Sequence, residues 1–158
     1  MSPKLQTPQQ LAALRDEFAA AGKKLVFTNG CFDLLHVGHV RYLQAARALG
    51  DALLVAVNGD ASVRALKGPT RPINSEDDRA EVLAALECVS FVTLFHTERV
   101  TDLVRIIRPQ VYAKGGDYTV ASLDPGERGA LLEAGTEIRI LALVPGKSTT
   151  ATIAKWKN

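Results

Sequence analysis

Cysteine, tryptophan and methionine are scarce in this sequence. The 158 residues include two cysteines, Cys31 and Cys88, together with one tryptophan and one methionine. Two cysteines that form no CxxC pair exclude a disulfide-stapled scaffold and a cysteine-based structural zinc site. We therefore expect two reduced thiols in a cytoplasmic protein.

Long apolar runs and a strong net charge are also lacking. No stretch approaches the roughly 20 apolar residues that a membrane-spanning helix requires, and the first residues do not resemble a signal peptide. The formal net charge of +2 gives no case for nucleic acid or a membrane as a partner. The length suits one domain with a sizeable core, so a single domain over residues 1–158 is predicted.

Short apolar runs alternate with amphipathic segments along the chain. The runs predict strands at 25–27, 53–57, 89–95, 111–113 and 138–144. The segments between them predict helices at 7–21, 38–49, 100–107, 125–134 and 148–156, with one more helix capped by Ser75. Asn29-Gly30 is expected to end the first strand, and 67–72 to form a loop. This alternation favours an α/β fold, with a five-stranded parallel sheet covered by helices on both faces.

Ligands of such sheets bind beyond the carboxyl ends of the strands. That rule selects the segments 28–39, 58–60, 114–118 and 146–150. The unusual polar residues of the chain lie in these same segments. The sequence therefore predicts one site at this edge of the sheet.

The segment from Thr28 to His39 follows the first strand and opens a helix. A helix N-terminus presents free backbone N–H groups and a partial positive charge, which attract phosphate. His36 and His39 are three residues apart and lie on one side of the first turn, while Gly38 leaves room for a ligand. Two imidazole donors there suit the charge that develops in phosphoryl transfer. Two alternatives remain open: histidines that only cap the helix, or a zinc site completed by Asp33.

Charged and amide side chains follow the second strand. Lys67, Arg71 and Arg79 surround a Gly-Pro loop and can meet substrate phosphates. Lys67 is favoured because it is expected in the loop itself, whereas Arg79 can equally lie on a solvated helix face. Asn58 and Asp60 either contact a ligand or form a turn and a helix cap.

The fourth predicted strand ends in Lys114-Gly115-Gly116-Asp117. Glycines at this point allow a base or ribose to approach the backbone closely, and Asp117 can accept hydrogen bonds from hydroxyl groups. A simple turn is the alternative.

The order of these motifs resembles a known enzyme family. Cys31 to His39 resembles the HxGH signature of the cytidylyltransferase-like nucleotidyltransferases, and Gly146 to Thr150 resembles their second signature at a helix start. The segments 57–60, 67–74, 78–81 and 114–118 are similar to the adenylyltransferase domains of ADP-heptose synthases. The resemblance runs from about Leu11 to the end of the chain and implies a Rossmann-like α/β domain.

The resemblance implies that AMP passes from ATP to a sugar 1-phosphate, namely D-glycero-β-D-manno-heptose 1-phosphate, by direct in-line attack. Mg²⁺ would arrive with ATP, and no permanently bound metal is expected. The implied catalytic residues are His36, His39 and Lys67. The implied nucleotide-binding residues are Thr28, Asn29, Gly30, Cys31, Phe32, Gly38, Gly116, Asp117, Ser148, Thr149 and Thr150. The implied acceptor-binding residues are Asp33, Asn58, Asp60, Arg71 and Arg79.

The same resemblance bears on partners. Many ADP-heptose synthases also carry a sugar kinase domain, and none is found in this sequence. A separate sugar kinase is therefore expected to supply the 1-phosphate, and a homodimer is compatible with the family.

Two other functional hypotheses stay open. One is a CTP-dependent transferase acting on glycerol 3-phosphate, and the other is a nucleotide-binding regulatory module without turnover. A dehydrogenase that uses a dinucleotide is disfavoured because no GxGxxG motif follows any strand.

Overall fold

A computed structural model describes residues 2–116, 118–142 and 153–156. The strands are β1 (Leu25–Gly30), β2 (Ala52–Asn58), β3 (Phe91–Phe95), β4 (Val111–Gly115) and β5 (Glu137–Leu141). The helices are α1 (Pro8–Ala20), α2 (Val37–Arg47), α3 (Asp60–Lys67), α4 (Glu76–Ala84), α5 (Thr101–Ile107) and α6 (Pro125–Glu133), with a short 3₁₀ helix at Val120–Ser122. Residues 153–156 are helical. Within these ranges no helix is long and apolar enough to cross a membrane.

The five strands form one parallel sheet in the order β3-β2-β1-β4-β5. The chain builds outward from β1 to β3, then returns to the other side of β1 for β4 and β5. The strand order therefore reverses between β1 and β4, which opens a crevice at their carboxyl ends. The predicted α/β fold is confirmed.

Both faces of the sheet are buried beneath helices. Leu25 and Phe27 of β1 belong to one apolar cluster, and Val26 between them belongs to a second cluster. The first cluster draws on α1, α5 and α6 through Leu11, Leu103, Val104, Ile107, Ala130 and Leu131. The second draws on α2 and α4 through Leu43, Ala46, Ala80, Leu83 and Ala84. Burial on both faces explains why β1, β2 and β4 contain continuous apolar runs, whereas the edge strand β5 alternates between charged and apolar residues and contains no buried one.

The prediction that Asn29-Gly30 ends the first strand is wrong. β1 continues through both residues, with Asn29 beside Ala56 and Gly30 beside Val57 of β2. Pairing with a long neighbouring strand outweighs the weak strand preference of this dipeptide. The extension carries the side chain of Asn29 to the edge of the sheet where ligands are expected.

The prediction that Lys67 lies in a loop is also wrong. Lys67 is the last residue of α3, and the loop begins at Gly68, whose φ of 101° suits glycine. α3 was not predicted because it is only eight residues long and buries only Ser62 and Val63. Asn58 helps to anchor this helix, since its Nδ2 donates to Ser62 Oγ at 2.8 Å.

The helix starts were better predicted. Ser75 caps α4 and accepts a hydrogen bond from the Asp78 N–H at 3.2 Å, as expected. Asp77 and Asp78 then occupy its first turn, where the partial positive charge of the helix stabilises carboxylates.

Candidate active site

The two predicted histidines start α2 together. His36 is the N-cap, and its Nδ1 accepts a hydrogen bond from the Gly38 N–H at 3.0 Å. His39 returns the bond, because its Nδ1 accepts from the His36 N–H at 3.2 Å. The two ring centroids lie 4.0 Å apart. A ring nitrogen that accepts carries no proton, so each neutral imidazole carries its proton on Nε2.

His39 is uncharged at neutral pH. Burial of the ring lowers the pKa of His39 to about 4, and the electrostatic influence of the neighbouring His36 and Lys67 acts in the same direction. The ring therefore acts as a neutral Nε2–H donor and not as a cation. A donor of this kind can stabilise charge on a phosphate without exchanging a proton.

A strained loop leads into the histidine pair. Phe32 has a left-handed backbone, with φ of 47°, a conformation that costs a side-chain-bearing residue about 1 kcal/mol or more. Its ring lies 5.6 Å from that of His39 between centroids. A Cβ on Gly30 would approach the Phe32 ring to 2.9 Å. Glycine at position 30 thus makes room for the ring that packs beside His39.

Asp33 holds the loop that follows α3. Its carboxylate is fully buried and accepts hydrogen bonds from the Ile73 N–H at 2.8 Å, the Asn74 N–H at 3.0 Å and Arg71 Nε at 2.8 Å. Burial alone would raise the pKa of Asp33, but the bonds from Asn74, Ile73 and Arg71 outweigh it and hold that pKa below its usual value. The zinc hypothesis loses its carboxylate ligand, because these donors occupy both oxygens. The structure shows the contact of Asp33 with this loop. Its predicted contact with the acceptor substrate remains a prediction.

Arg79 is buried and connects three segments of the chain through hydrogen bonds. Its Nε donates to the Asn74 carbonyl at 3.0 Å, its Nη1 to the Cys31 carbonyl at 2.7 Å, and its Nη2 to Asp60 Oδ1 at 2.9 Å. The side chain is 1% exposed, so the solvated-face alternative is wrong. Arg79 joins the loop before α2, the start of α3 and the loop before α4. Asp60 is held at the same point, since its N–H donates to Glu76 Oε2 at 2.6 Å.

A cleft of about 590 Å³ opens above these networks. The predicted residues that line it are Asn29, Gly30, Cys31, Phe32, Asp33, His36, Gly38, His39, Asn58, Lys67 and Arg71. The structure thus brings the predicted segments after β1 and β2 into one site. Burial raises the pKa of the Cys31 thiol, which keeps it protonated at neutral pH.

Other predicted residues lie behind the cleft or outside the described residues. Thr28 is buried, with its Oγ1 2.8 Å from the hydroxyl of Tyr42. Gly116 has a φ of 107° and donates its N–H to the Leu141 carbonyl. Thr28, Gly116, Asp60 and Arg79 are not lining residues. Asp117, Ser148, Thr149 and Thr150 lie outside the described residues, and their ligand contacts remain predictions.

Several lining residues were missed. They are Tyr42, Leu66, Glu98, Arg99 and Glu127. Lys114, Gly115 and Tyr118 also line the cleft and belong to the predicted segment 114–118. Glu98 and Arg99 follow β3, so the strand-end rule would have found them had it been applied there. Glu127 stands in the first turn of the helix after β4, where the strand-end rule points as well.

The family comparison agrees with this geometry. A model of a family described as cytidylyltransferase-like matches residues 27–153. The crystal structure of the lipopolysaccharide core biosynthesis protein from Thermoplasma volcanium GSS1 has a TM-score of 0.64 at 29% identity, covering 78% of this chain and 98% of that chain.

Curated relatives named "Bifunctional protein HldE" match nearly the whole chain. The relative from Sulfurimonas denitrificans is 47% identical over 150 residues, which is 95% of this chain and 30% of the relative. That from Geotalea uraniireducens is 49% identical over 155 residues, which is 98% of this chain and 31% of the relative. The chain therefore spans slightly less than a third of these relatives.

Proposed function

Because this chain belongs to the cytidylyltransferase-like family and is a nucleotidyltransferase, we propose that it transfers AMP from ATP to D-glycero-β-D-manno-heptose 1-phosphate. The products are ADP-heptose and pyrophosphate. The observation that carries the proposal is the histidine pair at the start of α2, whose Nδ1 atoms accept backbone N–H groups and whose protons therefore lie on Nε2. The similarity to proteins named HldE supports the choice of substrates.

The proposed reaction is a direct displacement. An oxygen of the acceptor phosphate attacks the α-phosphorus of ATP, and the bond from that phosphorus to the oxygen bridging to the β-phosphorus breaks. Pyrophosphate leaves with the electron pair of that bond. The acceptor phosphate is already ionised at neutral pH, since the second pKa of a phosphate monoester is about 6. No general base is needed, which fits a His39 whose pKa is about 4.

The side chains around the cleft suit this reaction. His36 and His39 would donate hydrogen bonds to the phosphoryl oxygens, where negative charge increases in the transition state. Lys67 and Arg71 line the same cleft and would neutralise the phosphates of the two substrates. Lys67 is placed by the last turn of α3, and Arg71 by its bond to Asp33.

The proposal includes Mg²⁺ as an ion that enters with ATP. Within the described residues no group of three or more His, Cys, Asp or Glu side chains could hold a metal. With nucleotides, Mg²⁺ is usually held mainly by the phosphates and by water. When bound, the ion would lower the negative charge on the departing pyrophosphate.

The wider setting belongs to the same proposal. A sugar kinase reaction must supply the 1-phosphate of the acceptor, because the cleft is proposed to use ATP for AMP transfer only. A cytoplasmic location, where ATP is abundant, and a homodimer remain predictions.

A substrate grid tests the proposal. ATP, CTP, GTP and UTP are each combined with heptose 1-phosphate, hexose 1-phosphates and glycerol 3-phosphate, and pyrophosphate release is measured. We expect the highest kcat/KM with ATP and the β-anomer of the heptose 1-phosphate. The family description favours CTP as the competing nucleotide, so a dominant signal from CTP with glycerol 3-phosphate would replace the proposal. Nucleotide binding without turnover in any combination would indicate a regulatory module.

A further inference from the structure

Glu127 is a largely buried residue that lines the cleft. It stands in the first turn of α6, is 4% exposed, and lines the cleft that contains the histidine pair. Asp124 caps this helix by accepting a hydrogen bond from the Glu127 N–H at 3.1 Å. A glutamate three residues after an N-cap commonly bonds back to the N-cap N–H. Glu127 does not form this bond.

No described residue donates a hydrogen bond to the Glu127 carboxylate or forms an ion pair with it. The hydroxyl of Tyr112 donates instead to Asn29 Oδ1 at 2.7 Å. The ammonium group of Lys114 lies 4.7 Å from the centroid of the Tyr118 ring, in a cation–π contact. No buried side-chain oxygen of the described residues lacks a hydrogen-bond partner, so the unpartnered carboxylate oxygens of Glu127 reach the open space of the cleft that this residue lines. There they can accept hydrogen bonds from a ligand.

The position of Glu127 narrows the chemistry of that ligand. Lys67 and Arg71 come from the segment after β2, whereas Glu127 follows β4, and these strands flank β1 on opposite sides. Cationic side chains suit phosphates, and a carboxylate repels them. A carboxylate with two acceptor oxygens suits neighbouring hydroxyl groups, which can each donate one hydrogen bond.

Asn29 lines the same cleft and can donate a hydrogen bond to a ligand. Its Oδ1 accepts from Tyr112, so its Nδ2 is the donor that it presents at the lining of the cleft. Burial and the charge of Glu127 both raise the pKa of Tyr112, which keeps the phenol protonated as a donor to Asn29. The lining of the cleft thus offers an acceptor at Glu127 and an amide donor at Asn29.

We propose that Glu127 recognises a pair of sugar hydroxyl groups on a substrate and thereby selects a hydroxylated sugar over a deoxy analogue. The inference rests on the proposed function, because both substrates of that reaction carry such groups: the ribose of the nucleotide and the acceptor sugar. Glu127 is a specificity-determining residue in this scheme and takes no part in bond breaking.

Calorimetric titration of the full chain tests the proposal without requiring turnover. The ribose is probed with ATP, 2′-deoxy-ATP and 3′-deoxy-ATP, and the acceptor with mannose 1-phosphate and its 2-deoxy and 3-deoxy analogues. These ligands are titrated into the unaltered chain, Glu127→Gln and Glu127→Leu. Glu133→Gln is the matched control, because Glu133 lies on the same helix with its side chain 71% exposed.

We expect removal of the relevant hydroxyl to weaken binding to the unaltered chain about tenfold or more, the scale for a hydrogen bond to a charged group. The same removal should have almost no effect in Glu127→Leu, because the partner is already gone. Coupling with the ATP analogues assigns the ribose, and coupling with the mannose analogues assigns the acceptor sugar. Equal losses in both proteins for every analogue would overturn the proposal.

Thermal stability separates recognition from a structural role. Glu127→Gln keeps the shape of the side chain and removes a charge that has no ion-pair partner among the described residues, so the Tm should hold or rise. A Tm several degrees lower would show that the carboxylate stabilises the fold and would overturn the proposal. The two hypotheses fail separately: ATP binding without pyrophosphate release in the grid contradicts the proposed function, whereas absent coupling with intact turnover contradicts only the role of Glu127.

Discussion

Replacing Asp33 with asparagine tests whether this carboxylate holds the 68–75 loop beside the cleft. Its side chain is fully buried, and that of Arg71 is 10% exposed. Asparagine keeps the shape and one acceptor oxygen. Its NH₂ group, however, would face N–H donors from Arg71, Ile73 or Asn74 in place of the second oxygen. The substitution therefore leaves the Arg71 guanidinium buried without its counter-charge.

The expected loss of folding stability is large for a substitution that replaces one oxygen with an NH₂ group. Removing one partner of a buried ion pair typically costs about 3–5 kcal/mol, against a total free energy of unfolding of roughly 5–15 kcal/mol for a domain. In a protein of this size the Tm should fall by about 6–20 °C, at ~2–4 °C per kcal/mol. KM for the substrates should rise as well, because Arg71 would lose the contact that fixes its position at the cleft.

Urea denaturation, followed by circular dichroism, measures the loss. Asp102→Asn is the control, because the Asp102 side chain is 77% exposed and, among the described residues, pairs only with Arg105 on its own helix. The pKa of Asp33 is lowered in the folded chain, so its stabilisation is present above the pKa of an unfolded aspartate. That stabilisation is lost as the pH falls through the folded value. The stabilities of the unaltered chain and Asp33→Asn should therefore converge in acid. A variant of unchanged stability with a raised KM for the acceptor alone would refute this reasoning and make Asp33 a direct ligand.

Four further outcomes are expected. His36→Asn keeps an N-cap acceptor but removes the Nε2–H donor, so turnover should fall about a hundredfold or more with a change in Tm of a few degrees; near-normal turnover would contradict the assigned role. NMR of the imidazole nitrogens should show His39 neutral, with its proton on Nε2 at pH 7, and a titration midpoint near 4; a midpoint near 6.5 would show that the ring is solvated. A chelator should stop pyrophosphate release and Mg²⁺ should restore it, whereas stoichiometric zinc in the purified protein would favour a metal-binding role for the histidines. Changing Thr149 and Thr150 together to valine should raise KM for ATP, and unchanged nucleotide kinetics would restrict these hydroxyls to capping a helix.

Most of the sheet could be predicted from the sequence because its central strands are buried on both faces. β2 is buried along its whole length, and such a continuous apolar run has few other interpretations. α3 could not be predicted in the same way, since it buries only Ser62 and Val63 among eight residues. Its position depends on contacts distant in sequence, such as the bond from Ser62 Oγ to the Thr97 carbonyl at 3.0 Å.

In the candidate site, too, local sequence patterns predicted some residues, whereas others depend on tertiary packing. Residues at a local motif, such as His36 and His39, were predicted because strand, turn and helix follow one another in sequence. Arg79 was left between two roles and Glu127 was not singled out, because the burial of both residues arises from tertiary packing. A helix-face arginine is usually solvated, yet the 1% exposure of Arg79 makes it a crosslink.

The capping and catalytic interpretations of the histidine pair are compatible, because they use different nitrogens. Capping engages Nδ1 of both rings, and that engagement places the proton of each neutral ring on Nε2. The cap therefore fixes the tautomer in which Nε2 of each ring can donate a hydrogen bond to a phosphate. His36→Asn and His39→Asn can separate the two contributions: if catalysis acted only through the stability of α2, both variants would lose turnover in proportion to their loss in Tm. A turnover loss of about a hundredfold at nearly constant Tm would instead assign the effect to the missing Nε2–H donor.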